Sequence, residues 1–500
     1  MPAQALAVIA TLVSFAPHGN RIGLQLDRGS AELVWITPST FHFRRTLDGP
    51  LAAANVPDSA PETVALQIDD TPGTLRIRSK YLDVAIRKPG LLIDVRRVDG
   101  PALMADLSEP RAEGGGVAWE RQAPSGVRYY GLGPRADPEL DLRGKSVDAL
   151  IPMLISTAGY GEYHAGPGQY HFDFTVAGRY LIRAPQVDYF FFYGPTPKEI
   201  FQEHKNSPDI GIVPLGPPRP AAWASLRERV LEAVEQAMST CLLSPFHLDD
   251  YAAAPEELKQ RARQFGSLLP IVNPGTLGVT PFRQQLTSFF DIYDIEIRDH
   301  GHPIWHALPF QFPDDPECAH HADEFMLGDE MLVAPIYESG SKRQVYLPQG
   351  AWTSLETNEE LPGRRTITVD TRALAVFAHN GAIVPLDSDG GIALHYFPKA
   401  GGEFFLLEKD IGEYTQVHAA PAADIMRLEI ESRKDRSYHW VVHHVERPSE
   451  VGFEEKKYQP VSAAGSLADR TWFYDAAQKN LLVRVRVAAG EDSIVNIRWE

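Results

Sequence analysis

The chain has 500 residues, of which 44% are hydrophobic and 23% charged. That is enough for a large core and for three to five domains. A formal net charge of −18 sets it against phosphate backbones, so nucleic acid is excluded as the main ligand. No apolar run approaches the ~20 residues that cross a membrane. Two cysteines, Cys241 and Cys318, make no disulfide framework. A cytoplasmic, reducing setting is the reading, with a secreted or periplasmic one left open.

The first elements read as β. Ala7–Phe15 and Arg21–Leu26 flank a turn cluster, Pro17-His18-Gly19-Asn20, and predict a hairpin. This replaces a secretory leader, because no Lys or Arg precedes the apolar stretch. Further on, Leu75 and Ile77 alternate with Arg76 and Arg78, and Leu82, Val84 and Ile86 alternate with Asp83, Ala85 and Arg87. Period two with one apolar face predicts half-buried antiparallel strands. The aromatic run 188–193 predicts a strand buried on both faces. Residues 1–208 form an expected β-sandwich.

The pattern changes after Pro208. Val213–Pro220 reads as a linker. Leu226, Val230, Val234 and Met238 then recur at helical spacing. A second helix is expected with Pro255 at N1 and Glu256 and Glu257 in its first turn. A third is expected from Thr280-Pro281 through Ile297. Short apolar runs separate them at Cys241–Leu248, Leu268–Val272 and Ile304–Leu308, so residues 209–308 read as α/β. Strand patterns return at Met331–Pro335, Gln344–Leu347, Thr366–Val369 and Ala382–Leu386. A final β block ends with Val483, Val485 and Val487, then Ile494–Trp499. Two further sandwiches are expected, 309–388 and 389–500. No repeat is present.

Tyr130-Gly131-Leu132-Gly133 with Leu142-Arg143-Gly144, the 151–161 segment and Asp188–Ile200 are followed in order by Gly301–Leu308, Phe312–Asp315, Phe325–Pro335 and Val345–Trp352. These collinear motifs resemble those of glycoside hydrolase family 31. The first three resemble its first sandwich and the exit toward a barrel, Gly301–Leu308 its eighth barrel strand, and the rest its C-terminal sandwich. The resemblance implies a multidomain, mainly β protein with an α/β remnant: N-terminal β-sandwich, truncated (β/α) barrel and two C-terminal β-sandwiches. It also implies a neutral α-glycoside or monosaccharide as ancestral ligand and no metal or organic cofactor.

Retaining hydrolysis needs two carboxyl groups about 5–5.5 Å apart, one a nucleophile and one an acid. The family carries them in W-x-D-x-N-E and W-x-G-D motifs. None of the eight tryptophans has either context. Length argues the same way: about 114 residues lie between Pro197 and Phe312, where a closed barrel takes roughly 250 and rarely under about 200. Pro245–Tyr251, Glu257-Leu258 and Gln264-Phe265-Gly266 resemble late barrel elements, without the family's paired glycines. The expectation is a catalytically inactive, carbohydrate-related protein with a carbohydrate-binding or partner-binding role. The alternatives are an active retaining α-glycosidase that completes its site by oligomerisation or through unrecognised carboxylates, and a purely structural subunit.

Candidate ligand contacts follow, with no candidate for a catalytic role. Asp249 and Asp250, with His247, stand at a strand's C-terminal end, where α/β sites lie; the competing reading is a turn cap. By the resemblance, Tyr160 and Glu162 lie on a turn over the active-site mouth, and Trp305 and His306 at the end of a barrel strand. His300, His302, His306, Cys318, His320 and His321 crowd together, but their spacing matches no zinc template, so no metal is expected. A shortened barrel would leave sandwich surface uncovered, so a homo-oligomer or a partner protein is expected to cover it.

Overall fold

A computed structural model describes residues 9–52, 63–205, 219–239, 245–388 and 390–499. Residues 7 and 8 of the expected hairpin, most of the 213–220 linker and Cys241 lie outside them. The chain divides into two compact units. One is Met1–Pro214 with Glu235–Leu242 and His300–His302; the other is Leu215–Val234, Leu243–Asp299 and Pro303–Glu500.

In the first unit, Leu12–His18 pairs antiparallel with Arg21–Leu26 around the expected turn, where Gly19 takes a positive φ of 59°. These strands begin an eight-stranded sheet that ends with Val187–Tyr193, Tyr160–His164, Met153–Ser156 and Tyr129–Gly131. Two five-stranded sheets complete the unit. The alternating strands behave as their pattern dictates. Leu75, Ile77, Leu82, Val84 and Ile86 are fully buried, while Arg78 turns out to meet Asp83 at 3.2 Å. Each such side chain contributes about 1.5–3 kcal/mol by leaving water. Tyr189, Phe190, Phe191 and Phe192 are all buried, as expected for a strand covered on both faces.

The three expected helical stretches each begin in the second unit. Helix Trp223–Gln236 buries Leu226, Val230 and Val234, with Met238 just past its end. Helix Glu256–Gly266 starts one residue later than expected, with Pro255 as N-cap rather than N1. Arg261 ties this helix to the C-terminal strands by donating to the carbonyls of Gly340, Thr371, Arg372 and Ala373. The expected third helix is two, Pro281–Gln285 and Thr287–His300. Leu286 leaves helical geometry, and the Asp387 carboxylate accepts from the Ser288 N–H and O–H and caps the restart. Phe289 then stacks on Phe404 of strand Gly402–Glu408, 5.7 Å between centroids.

One expectation is corrected. Trp305–Ala307, read as the last barrel strand, pairs antiparallel with Phe325–Leu327 and opens a six-stranded C-terminal sheet. All three of its residues are buried. A fully buried run of this length reads the same in a barrel and in a sandwich, and tertiary pairing decides between them. The final two six-stranded sheets form the distal sandwich. Its first hairpin, Ile383–Ser388 with Gly391–Tyr396, straddles the expected 388/389 boundary. Cys318 is buried as a free thiol.

Candidate functional site

Between Pro197 and Phe312, one parallel strand pair exists among the described residues: Phe246↔Val272 and His247↔Asn273. It is held from behind by aromatic packing. Phe246 meets Phe265 edge-on at 5.2 Å and stacks on Tyr251 at 5.9 Å. Gly266 is required there, because a Cβ would come within 2.6 Å of the Phe246 ring. The C-terminal ends of both strands open onto loops, the position where α/β folds place their ligands.

The loop after Asn273 folds back on the turn Leu248–Tyr251. The Thr276 N–H and O–H both donate to Asp249 Oδ1, at 2.7 and 2.8 Å. Those two bonds, the backbone one first, hold the Asp249 carboxyl below the usual carboxylate range. Gly275 allows the approach. Its φ is 48°, and a Cβ would lie 2.1 Å from the Asp249 carboxyl carbon. Asn273 Nδ2 donates to His247 Nδ1 at 3.3 Å, which leaves the N–H of that ring on Nε2, while Asn273 Oδ1 accepts from Gly275 N–H at 3.2 Å. His247, Asp249 and Asp250 are all exposed. The site therefore offers one imidazole donor and two ionisable acceptors within four consecutive positions. It suits hydroxyl groups. Asp249 is an ion-stabilised acceptor, the opposite of the raised-pKa acid that glycoside cleavage needs.

The remaining candidates are placed elsewhere. Tyr160 and Glu162 belong to the other unit, on strand Tyr160–His164 rather than on a turn, and both are buried. Tyr160 stacks on Phe191 with centroids 5.2 Å apart. Glu162 is wholly buried against Arg121, which also donates to Asp106 at 2.9 Å, and His164 Nε2 lies 3.2 Å from Glu162. Burial opposes the charge on Glu162, but Arg121 and His164 outweigh it and keep the group ionised below its ordinary range. As placed, neither residue reaches a surface. Trp305 and His306 are likewise interior, with His306 Nδ1 3.2 Å from Pro303 O and its ring 4.7 Å from Phe310.

Asn273, Gly275 and Thr276 were not singled out from the sequence as site residues. The Asn-Pro-Gly-Thr turn after an apolar run is the signal that could have found them. Elsewhere in this unit, the ligand atoms of His321, Asp323 and Glu324 lie within 4.8 Å of one another. The Arg343 guanidinium already stands among them, 3.0 Å from Asp323 and 3.8 Å from Glu324, so a fixed cation serves that cluster.

Comparison with known proteins bears on the whole frame. The glycosyl hydrolase family 31 C-terminal domain matches residues 301–384, starting just before the corrected strand. The alpha-glucosidase of Saccharolobus solfataricus is 33% identical over 111 residues, 22% of this chain and 16% of that protein. The isomaltosyltransferase of Sporosarcina globispora is 26% identical over 225 residues, 39% of this chain and 20% of that protein. The chain thus spans about a fifth or less of the length of these relatives. In fold, a Flavobacterium johnsoniae dextranase complexed with isomaltotriose superposes with a TM-score of 0.80 at 14% identity, over 98% of this chain and 100% of that one. Residues 301–384 thus match the C-terminal domain of glycoside hydrolase family 31, and the chain shares the mainly β fold of a family 31 dextranase almost throughout.

Proposed function

We propose that this protein binds an α-linked glucoside or xyloside, or the corresponding monosaccharide, without hydrolysing it. The observation that carries the reading is the state of the carboxylates after the parallel strand pair. Asp249 is tied down and held ionised by Thr276, and Asp250 is its immediate neighbour in a 3₁₀ turn. No acid–nucleophile pair facing across a sugar is built from them. What they retain, with His247 and Asn273, is acceptor and donor chemistry suited to sugar hydroxyls. The short interval between Pro197 and Phe312, with its one parallel pair among the described residues, supports a barrel reduced to a remnant. Self-association through the surface that a full barrel would cover belongs to the same proposal.

Thermal-shift titration with glucose, xylose, maltose and isomaltose tests it. A specific ligand raises the melting temperature in proportion to RT ln(1 + [L]/Kd). The proposal expects a dose-dependent rise with at least one of these sugars and a smaller rise in Asp249→Asn. A flat response with all four counts against binding.

A further inference from the structure

The distal sandwich carries a groove of its own. The crossing segment between strands Arg436–Val442 and Glu450–Phe453 runs beside the residue that follows the last strand, Asp492–Arg498. Val445, Glu446, Arg447, Pro448, Ser449 and Trp499 line a shallow groove of about 670 Å³.

Trp499 is the fixed wall. Its indole Nε1–H donates to Glu446 O at 2.9 Å and its backbone N–H to Asp424 O at 3.2 Å. The ring's single donor is therefore used, and its half-exposed face is left as an apolar plane. The segment 445–449 is pinned as firmly. Ser449 N–H and O–H donate to Arg498 O at 2.8 and 3.0 Å, and Val445 N–H donates to Lys479 O at 3.0 Å. The lining of the groove also carries charged residues. The Glu446 carboxylate is neutralised by Lys479 Nζ at 2.9 Å, and the Arg447 guanidinium sits 5.9 Å from the Trp472 ring.

We propose that this groove is a saccharide-binding subsite for a neutral oligosaccharide. A pyranose presents one face of C–H groups, which fits the indole plane, and a rim of hydroxyls, which fits the acidic and basic residues that line the same groove. The mixed charges disfavour a simple anion or cation, and the net charge of −18 disfavours polyanions. The choice of a sugar over other neutral ligands rests on the proposed function; the groove itself does not.

Calorimetric titration of the full chain with maltotetraose and with isomaltotriose tests the proposal, using Trp499→Ala, Trp499→Tyr and Asp249→Asn. Circular dichroism checks that each variant folds. The expected result is that Trp499→Ala raises Kd at least about tenfold or removes one class of site. Trp499→Tyr, which keeps an aromatic face, retains most of the affinity, and Asp249→Asn leaves this class unchanged. Binding that falls in Asp249→Asn but not in Trp499→Ala overturns the subsite and leaves the proposed function standing. Binding that falls only in Trp499→Ala supports the subsite and overturns the Asp249 site. No heat with either sugar overturns both.

Discussion

Glu162 separates a structural carboxylate from a ligand-binding one, and Glu162→Leu makes the distinction measurable. In the native sandwich Arg121 is fully buried, with its guanidinium 4.5 Å from the Tyr189 ring centroid and between two acids, Asp106 and Glu162. Breaking a buried pair by removing one partner costs about 3–5 kcal/mol, because the other charge stays behind uncompensated. Here Asp106 remains at 2.9 Å and also takes the Ile93 N–H at 3.0 Å, so the low end, about 3 kcal/mol, is expected. In urea a unit of this size loses about 2–3 kcal/mol per molar, so the midpoint of its transition should fall by about 1–1.5 M. Replacing the network as a whole, with Arg121→Met, Asp106→Asn and Glu162→Leu together, should recover to within about 1 kcal/mol of the parent. Saccharide affinity should not change in either variant. A midpoint shift under about 0.3 M, or a loss of sugar binding in a folded Glu162→Leu protein, would refute the argument.

Gly275→Ala forces a Cβ into the Asp249 carboxyl and strains a left-handed backbone position, so sugar affinity should fall although no polar group is lost; unchanged calorimetric binding would contradict the site geometry. Burial pushes the Glu324 carboxyl up to about 8, against the pull of Arg343. The folded protein therefore keeps a proton that the unfolded chain, near its ordinary pKa of about 4.3, gives up. That stabilisation is complete below about pH 4.3 and is lost as pH rises toward 8, by a few kcal/mol at most. Glu324→Gln should flatten the fall in stability between pH 5 and 8, and parallel curves for parent and variant would exclude the effect. Sedimentation velocity at low micromolar concentration should show self-association; a clean monomer would remove that part of the proposal.

The fold was legible where pattern and burial coincide. Leu82, Val84 and Ile86 alternate in the sequence and are buried together, and 189–192 are apolar on both sides because both sides are covered. Thr280 announces a helix start and accepts from Arg283 N–H as a cap should. The break at Leu286 was not legible, because its cap, Asp387, lies about a hundred residues away in sequence. Trp305–Ala307 fell to the wrong sheet for the same reason, since a short apolar run carries no mark of its partner strand. At the candidate site, Asp249 was visible as an acid after an apolar run. Its engagement by Thr276 was not, because it depends on the path of a loop through Gly275. Glu162 misled most clearly. A buried ion pair leaves no sign in one strand's sequence, and Arg121 lies on another strand 41 positions away.

The central claim is that a family 31 frame persists here without the family's chemistry. Release of 4-nitrophenol from aryl α-glucoside and aryl α-xyloside by the 500-residue chain tests it most directly. The account predicts no release above the buffer rate with either substrate, at concentrations where sugar binding is saturated. Robust turnover, above all turnover that survives Asp249→Asn and Asp250→Asn, would contradict it.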